Sequence, residues 1–190
     1  MTAIKPSDGA LLIHALAKDR RIFQDPNFPE LDLLKAARNN FDLLLKINGI
    51  ESTKQQCVYG SHFLLAILNN SGTVGGFAEV CGGGLTEHTG VLTPQGTVEK
   101  HMWVRYCKDG QSWFLDITAD QFGYADVVYG SEKKLNRIFL ADPQENTNLL
   151  LTQIRRDPFF DKLAKKRGVN SPSGVTKVSG GRQPKSGLSL

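Results

Sequence analysis

Apolar positions recur along this chain at two different spacings. Between residues 101 and 118 the spacing is two: Met102, Val104 and Tyr106, then Trp113, Leu115 and Ile117, fall on alternate positions around Asp109-Gly110. Alternation puts successive side chains on opposite faces of a strand, and Asp-Gly favours the type I′ turn of a tight hairpin. With those two residues as the loop, Lys108 faces Gln111, Trp103 faces Asp116 and His101 faces Thr118. One face then carries the six apolar residues and is expected to be core. The other carries His101, Trp103, Arg105, Cys107, Ser112, Phe114, Asp116 and Thr118.

Upstream of the hairpin the spacing is helical. Asp8 can cap a helix over residues 8–21, with Leu11, Leu12, Ala15, Leu16 and Ile22 as its stripe. A second helix is expected from about Pro29 to Asn48, with Leu33, Leu34, Ala37, Phe41, Leu44 and Leu45 facing the core and Gly49 as the stop. A third begins at Cys57, carries Val58, Leu64, Leu65, Ile67 and Leu68, and ends in Asn69-Asn70-Ser71-Gly72.

Residues 75–84 read as a strand ending in Gly82-Gly83-Gly84, glycines that would let a substrate backbone approach closely. Residues 85–100 read as a polar, turn-rich loop. Beyond the hairpin, 127–129 and 138–140 are short strands separated by a turn over 130–134. Residues 147–156 form a helix, which 157–167 extend or follow. The pattern is that of an α+β domain over residues 1–167. The Gly-, Ser-, Pro- and Lys-rich segment 168–190 has no apolar face and is expected to be a disordered tail.

Composition narrows the class. The 190 residues are 40% hydrophobic, enough for one domain core. No apolar run approaches the roughly 20 residues of a membrane span, and the N-terminus has no basic region followed by an apolar stretch, so neither a membrane span nor a general signal peptide is expected. From residue 151 onward nine Lys or Arg stand against two Asp, whereas the remainder is mildly acidic at −3. The body thus lacks the basic, aromatic-interleaved patch of a nucleic-acid binder, and the basic tail suits contact with an acidic partner. Cys57, Cys81 and Cys107 are odd in number and irregular in spacing, against both a disulfide framework and a zinc ribbon. No metal or other cofactor is expected.

Candidate chemistry lies on the hairpin. His101 and Asp116 are diagonal neighbours across it, with β-carbons about 7 Å apart or less, a gap that an imidazole and a carboxylate bridge. An Asp so placed fixes the tautomer of a His and stabilises its protonated form. These are two members of a triad, and Cys57 supplies a nucleophile: a cysteine at a helix N-terminus meets unpaired N–H groups and the positive end of the dipole, which favour thiolate. His62 and His88 are rival bases, but neither has an orienting acid at a suitable spacing. Trp103 shares the His101 face and either shields the pair from water or is a plain core residue. Gln121, at the strand exit, is a supporting residue through local hydrogen bonds.

Cys57 opening a helix, followed by a strand, by HMWVRY and by LDITADQF, resembles the papain-like and transglutaminase-like cysteine enzymes, most closely the bacterial protein-glutamine deamidase effector and toxin domains. The resemblance covers residues 55–130. It implies a papain-like fold, with the nucleophile at a helix N-terminus packed on an antiparallel sheet that carries His and Asp. It also implies Cys57 as nucleophile, His101 as general base and acid, and Asp116 as orienter. The sequence departs from papain-type peptidases in one respect. Their oxyanion-hole Gln lies a few residues before the Cys, whereas Gln55 and Gln56 adjoin Cys57, so the Cys57 backbone N–H and a second, unidentified donor are left to hold the oxyanion.

The expected activity is deamidation of a glutamine side chain in a protein substrate, by a protein that is cytoplasmic or delivered from a bacterium by a specialised secretion route. A cysteine peptidase or cell-wall amidase is the alternative within the superfamily. A catalytically silent binding module is the alternative outside it. The crowding expected of residues 85–100 and the glycine run, which leaves a mouth narrow enough for a side chain, favours deamidation.

Overall fold

A computed structural model of the chain describes residues 23–71 and 76–154. The helix expected over 8–21, the segment 157–167 and the tail from 168 lie outside them. The chain divides into one compact unit ending at Leu150 and a second from Leu151. The first unit is α+β.

Helix α1, Leu31–Ile47, turns Leu34, Ala37, Phe41 and Leu45 inward, and all four are buried. Its N-cap residue Glu30 makes no side-chain capping bond, so packing rather than capping holds it. A fully buried Leu or Phe contributes about 1.5–3 kcal/mol by leaving water, more than a cap's typical ~1 kcal/mol. Helix α2, Cys57–Asn70, begins at the expected cysteine and buries Gly60, Ser61, Leu64 and Leu68.

Strands β1 (Phe77–Gly83), β4 (His101–Lys108), β5 (Gln111–Asp116) and β6 (Val128–Ser131) form an antiparallel sheet in the order β1-β4-β5-β6. Lys108 pairs with Gln111 and Val104 with Leu115, the register read from the hairpin. Asp109 and Gly110 both have positive φ, 50° and 72°, as a type I′ turn requires. Helix α2 packs on β4 and β1, and α1 packs on α2.

Residues 85–100 are not simply a polar loop. They contain β2 (Gly90–Leu92) and β3 (Val98–Glu99), which with β7 (Phe139–Leu140) make a second antiparallel sheet in the order β3-β2-β7. Strands of two or three residues are too short to show a period, and β2 finds β7 about fifty residues away, so no local signal marks it. The expected turn at 130–134 is also different: β6 runs to Ser131, and Glu132–Leu135 forms the one-turn helix α3. Helix α4 spans Gln144–Ile154 and starts three residues earlier than the pattern suggested.

The second sheet changes the reading of the hairpin. Trp103 and Phe114, on the face that shares His101, pack with Val91, Ile138 and Phe139 and are as buried as Val104 and Leu115 behind them. On the opposite face, Tyr106 and Trp113 meet the ring of Phe28 edge-on. Strands inside a sheet covered on both sides are apolar on both sides. The glycine run serves the same packing. A β-carbon on Gly83 would lie 2.2 Å from the Gly90 nitrogen and 2.4 Å from the Leu140 carbonyl oxygen, so the close approach expected of a substrate backbone is made by this chain's own backbone.

Candidate active site

His101 opens β4 and Asp116 closes β5, so the hairpin register carries both to the same end of the sheet. His101 Nε2 lies 2.5 Å from Asp116 Oδ2. The other carboxylate oxygen, Oδ1, accepts hydrogen bonds from the Thr118 backbone N–H at 2.7 Å and the Thr118 hydroxyl at 2.9 Å. Asp116 is 2% exposed and Thr118 is wholly buried, so the carboxylate is held from both sides before it holds the imidazole. The local fold provides this: an Asp accepting from the backbone two residues on is an Asx turn, here at the strand exit.

The imidazole is enclosed. Phe122 meets it edge-on with ring centres 4.8 Å apart, Trp103 stacks at 6.0 Å and Phe139 lies at 6.1 Å, leaving His101 1% exposed. Burial by itself lowers the pKa of His101, because it penalises the cation. Asp116, and after it the Cys57 side chain, more than offset this and raise it to about 9. Nδ1 is buried and completes no hydrogen bond among the described residues. With Nε2 taken by Asp116, Nδ1 is the ring nitrogen left for the thiol, which lies near enough to raise the imidazole's pKa.

Cys57 is half-buried and is the first residue of α2, where the helix makes no use of its backbone N–H. The helix reaches the hairpin through Gly60, one turn on. A β-carbon there would stand 2.5 Å from Thr118 Cγ2 and 3.5 Å from the Phe41 ring. Only glycine lets this turn of α2 sit on the residue that orients Asp116.

The sequence-read residues thus divide. Cys57, His101 and Asp116 converge, and Trp103 lies against the imidazole, fully buried. Gln121 donates from Nε2 to the Thr118 carbonyl at 2.9 Å and accepts at Oε1 from the Gln55 N–H at 3.2 Å, so it joins the strand exit to the turn before Cys57. His88 is largely exposed, with Glu87 3.3 Å away, and His62 is half-buried on α2. Cys81 is buried in the core, where burial first and then the nearby Glu132 push its thiol up to about 12.

Sequence reasoning gave no functional role to Gly60, Thr118, Arg38, Asp120 or Thr53. The Asp-x-Thr spacing of 116–118 is the only one with a local signal, that of an Asx turn. Arg38 and Asp120 meet across 82 residues.

Among the described residues no cluster of three or more His, Cys, Asp or Glu could hold a metal ion, and no helix is long and apolar enough to cross a membrane. No family model matches the chain, and comparison with curated proteins and with solved structures gave no significant match to either.

Proposed function

We propose that the protein is a cysteine-dependent amidohydrolase of papain-like type, with Cys57 as nucleophile, His101 as base and acid and Asp116 as orienter, and that it deamidates a glutamine side chain of a target protein. The observation that carries this is the division of labour on one imidazole: Nε2 is anchored on a fully satisfied carboxylate, and Nδ1 is left for a thiol at a helix N-terminus.

In this reading the thiol proton already rests on His101 Nδ1 at neutral pH, and Cys57 Sγ attacks the carboxamide carbon. The tetrahedral oxyanion is held by the Cys57 N–H and a second donor. A His101 raised to about 9 keeps the proton at neutral pH until the leaving ammonia takes it. Water, deprotonated by the imidazole, then cleaves the thioester, giving glutamate and free thiol.

The choice of a side chain over a main chain is supported by burial. His101, Asp116 and Trp103 are sealed at 1%, 2% and 0% exposure, so the pair is approached from the half-buried Cys57 side, which suits a carboxamide on a thin stem. Intact-mass and peptide-level mass spectrometry on candidate proteins tests the proposal. The expected product gains about 1 Da at one Gln, with ammonia released and the chain uncut, and a Cys57→Ala control gives none. Cys57-dependent cleavage without deamidation would replace this reading with a peptidase.

A further inference from the structure

The turn that presents Cys57 is tied to the rest of the molecule at a few identifiable points. Gln55, two residues before the nucleophile, has φ of +62°, a conformation that non-glycine residues rarely hold unless their surroundings impose it. Its N–H donates to Gln121 Oε1 at 3.2 Å. The N–H of Gln56 donates to the Thr53 carbonyl at 2.9 Å. Thr53 is 4% exposed, and its hydroxyl donates to Asp120 Oδ1 at 2.8 Å.

Asp120 is in turn gripped by Arg38 from α1. The guanidinium meets both carboxylate oxygens, Nη1 to Oδ1 and Nη2 to Oδ2, each at 3.0 Å. The same Nη1 donates to the carbonyls of Ile117 and Asp126, both at 2.8 Å, and Nε donates to Asp42 Oδ2 at 2.8 Å. Arg38 is 12% exposed and reaches the carbonyl of the residue between Asp116 and Thr118. The two Nη1 hydrogens are shared among three acceptors, one bond being bifurcated, and a lysine, with a single nitrogen, cannot reach these separate directions together.

We propose that Arg38 is a positioning residue: clamped on Asp120, it fastens the turn at 53–56 to the strand exit that holds Asp116, and so sets the place of the Cys57 thiol relative to His101. The proposal rests on the reading of Cys57 and His101 as a catalytic pair. Arg38 touches neither, and acts through Asp120 and Thr53.

The test is the rate of Cys57 alkylation by iodoacetamide in the full-length chain from pH 5 to 10. Cys107 serves as internal reference, and circular dichroism and melting are recorded beside it. Arg38→Lys and Asp120→Asn should stay folded and melt a few degrees lower. Their Cys57 should react at least 10-fold more slowly at pH 7 than in the unaltered chain, with the plateau of the rate–pH profile moved to higher pH, while Cys107 is unchanged. Thr53→Val removes a single hydroxyl and should show the same loss in smaller degree. It keeps the test open where an Arg38 variant does not fold.

Folded variants with the unaltered rate and pH profile would overturn the positioning role and leave the catalytic pair standing. Cys57 that reacts no faster than Cys107 in the unaltered chain would overturn the catalytic pair, and the role of Arg38 with it.

Discussion

Replacing Gly60 by alanine isolates the contact through which α2 reaches the hairpin. The added methyl would stand 2.5 Å from Thr118 Cγ2, where an ordinary contact is 3.4 Å or more. Thr118 cannot rotate away without loss, because its hydroxyl bonds Asp116 Oδ1 at 2.9 Å and the residue is wholly buried. The Phe41 ring at 3.5 Å closes the other side. The clash is therefore relieved chiefly by moving the first turn of α2 outward, by about 1 Å if the contact is to become ordinary.

The two consequences differ in size. Overpacking a core costs about 1–3 kcal/mol. Alanine in a helix interior recovers roughly 1 kcal/mol relative to glycine. The net loss of stability should be about 0–2 kcal/mol, small enough to leave the domain folded. A nucleophile displaced by about 1 Å from its base loses on the order of 10²-fold in rate. Gly60→Ala should therefore melt within several degrees of the unaltered protein, while Cys57 alkylation and deamidase turnover fall about 100-fold. Ser61→Ala, one residue on, serves as the control. A folded Gly60→Ala protein with unaltered Cys57 reactivity would refute the account of how α2 is seated.

Three other outcomes are expected. Asp116→Asn keeps the shape of the carboxylate but not its charge, and turnover should drop on the order of 10²-fold or more; normal turnover would mean that Asp116 does not orient His101. His101 is raised from 6.5 to about 9 in the fold, so its proton favours the folded state fully below pH 6.5 and progressively less as the pH rises to 9. By linkage that is about 3 kcal/mol, visible as a falling urea midpoint across the window and flattened in Asp116→Asn; an equal slope in both proteins would exclude His101 as its source. Peptide mapping after brief iodoacetamide treatment at pH 7 should find label on Cys57 ahead of Cys107, and none on Cys81, which is buried with its thiol pushed up to about 12. Equal labelling of all three would count against a catalytic Cys57.

What the sequence determined by itself is local. A period of two and Asp109-Gly110 are enough to set the hairpin register, and the register is enough to bring His101 within reach of Asp116, because pairing across a tight turn leaves no freedom. A period near 3.6 and the polar stretch before Cys57 likewise place the cysteine at the start of its helix. The tertiary structure decided everything that depends on distant partners. The second sheet exists because Gly90 and Val91 find Leu140 and Phe139, and its arrival makes the His101 face core as well. The same holds for Gly60 on Thr118 and for Arg38 on Asp120. Each is a contact between elements whose own sequences carry no mark of it, since the steric or electrostatic reason for the residue lies in a neighbour that only folding supplies.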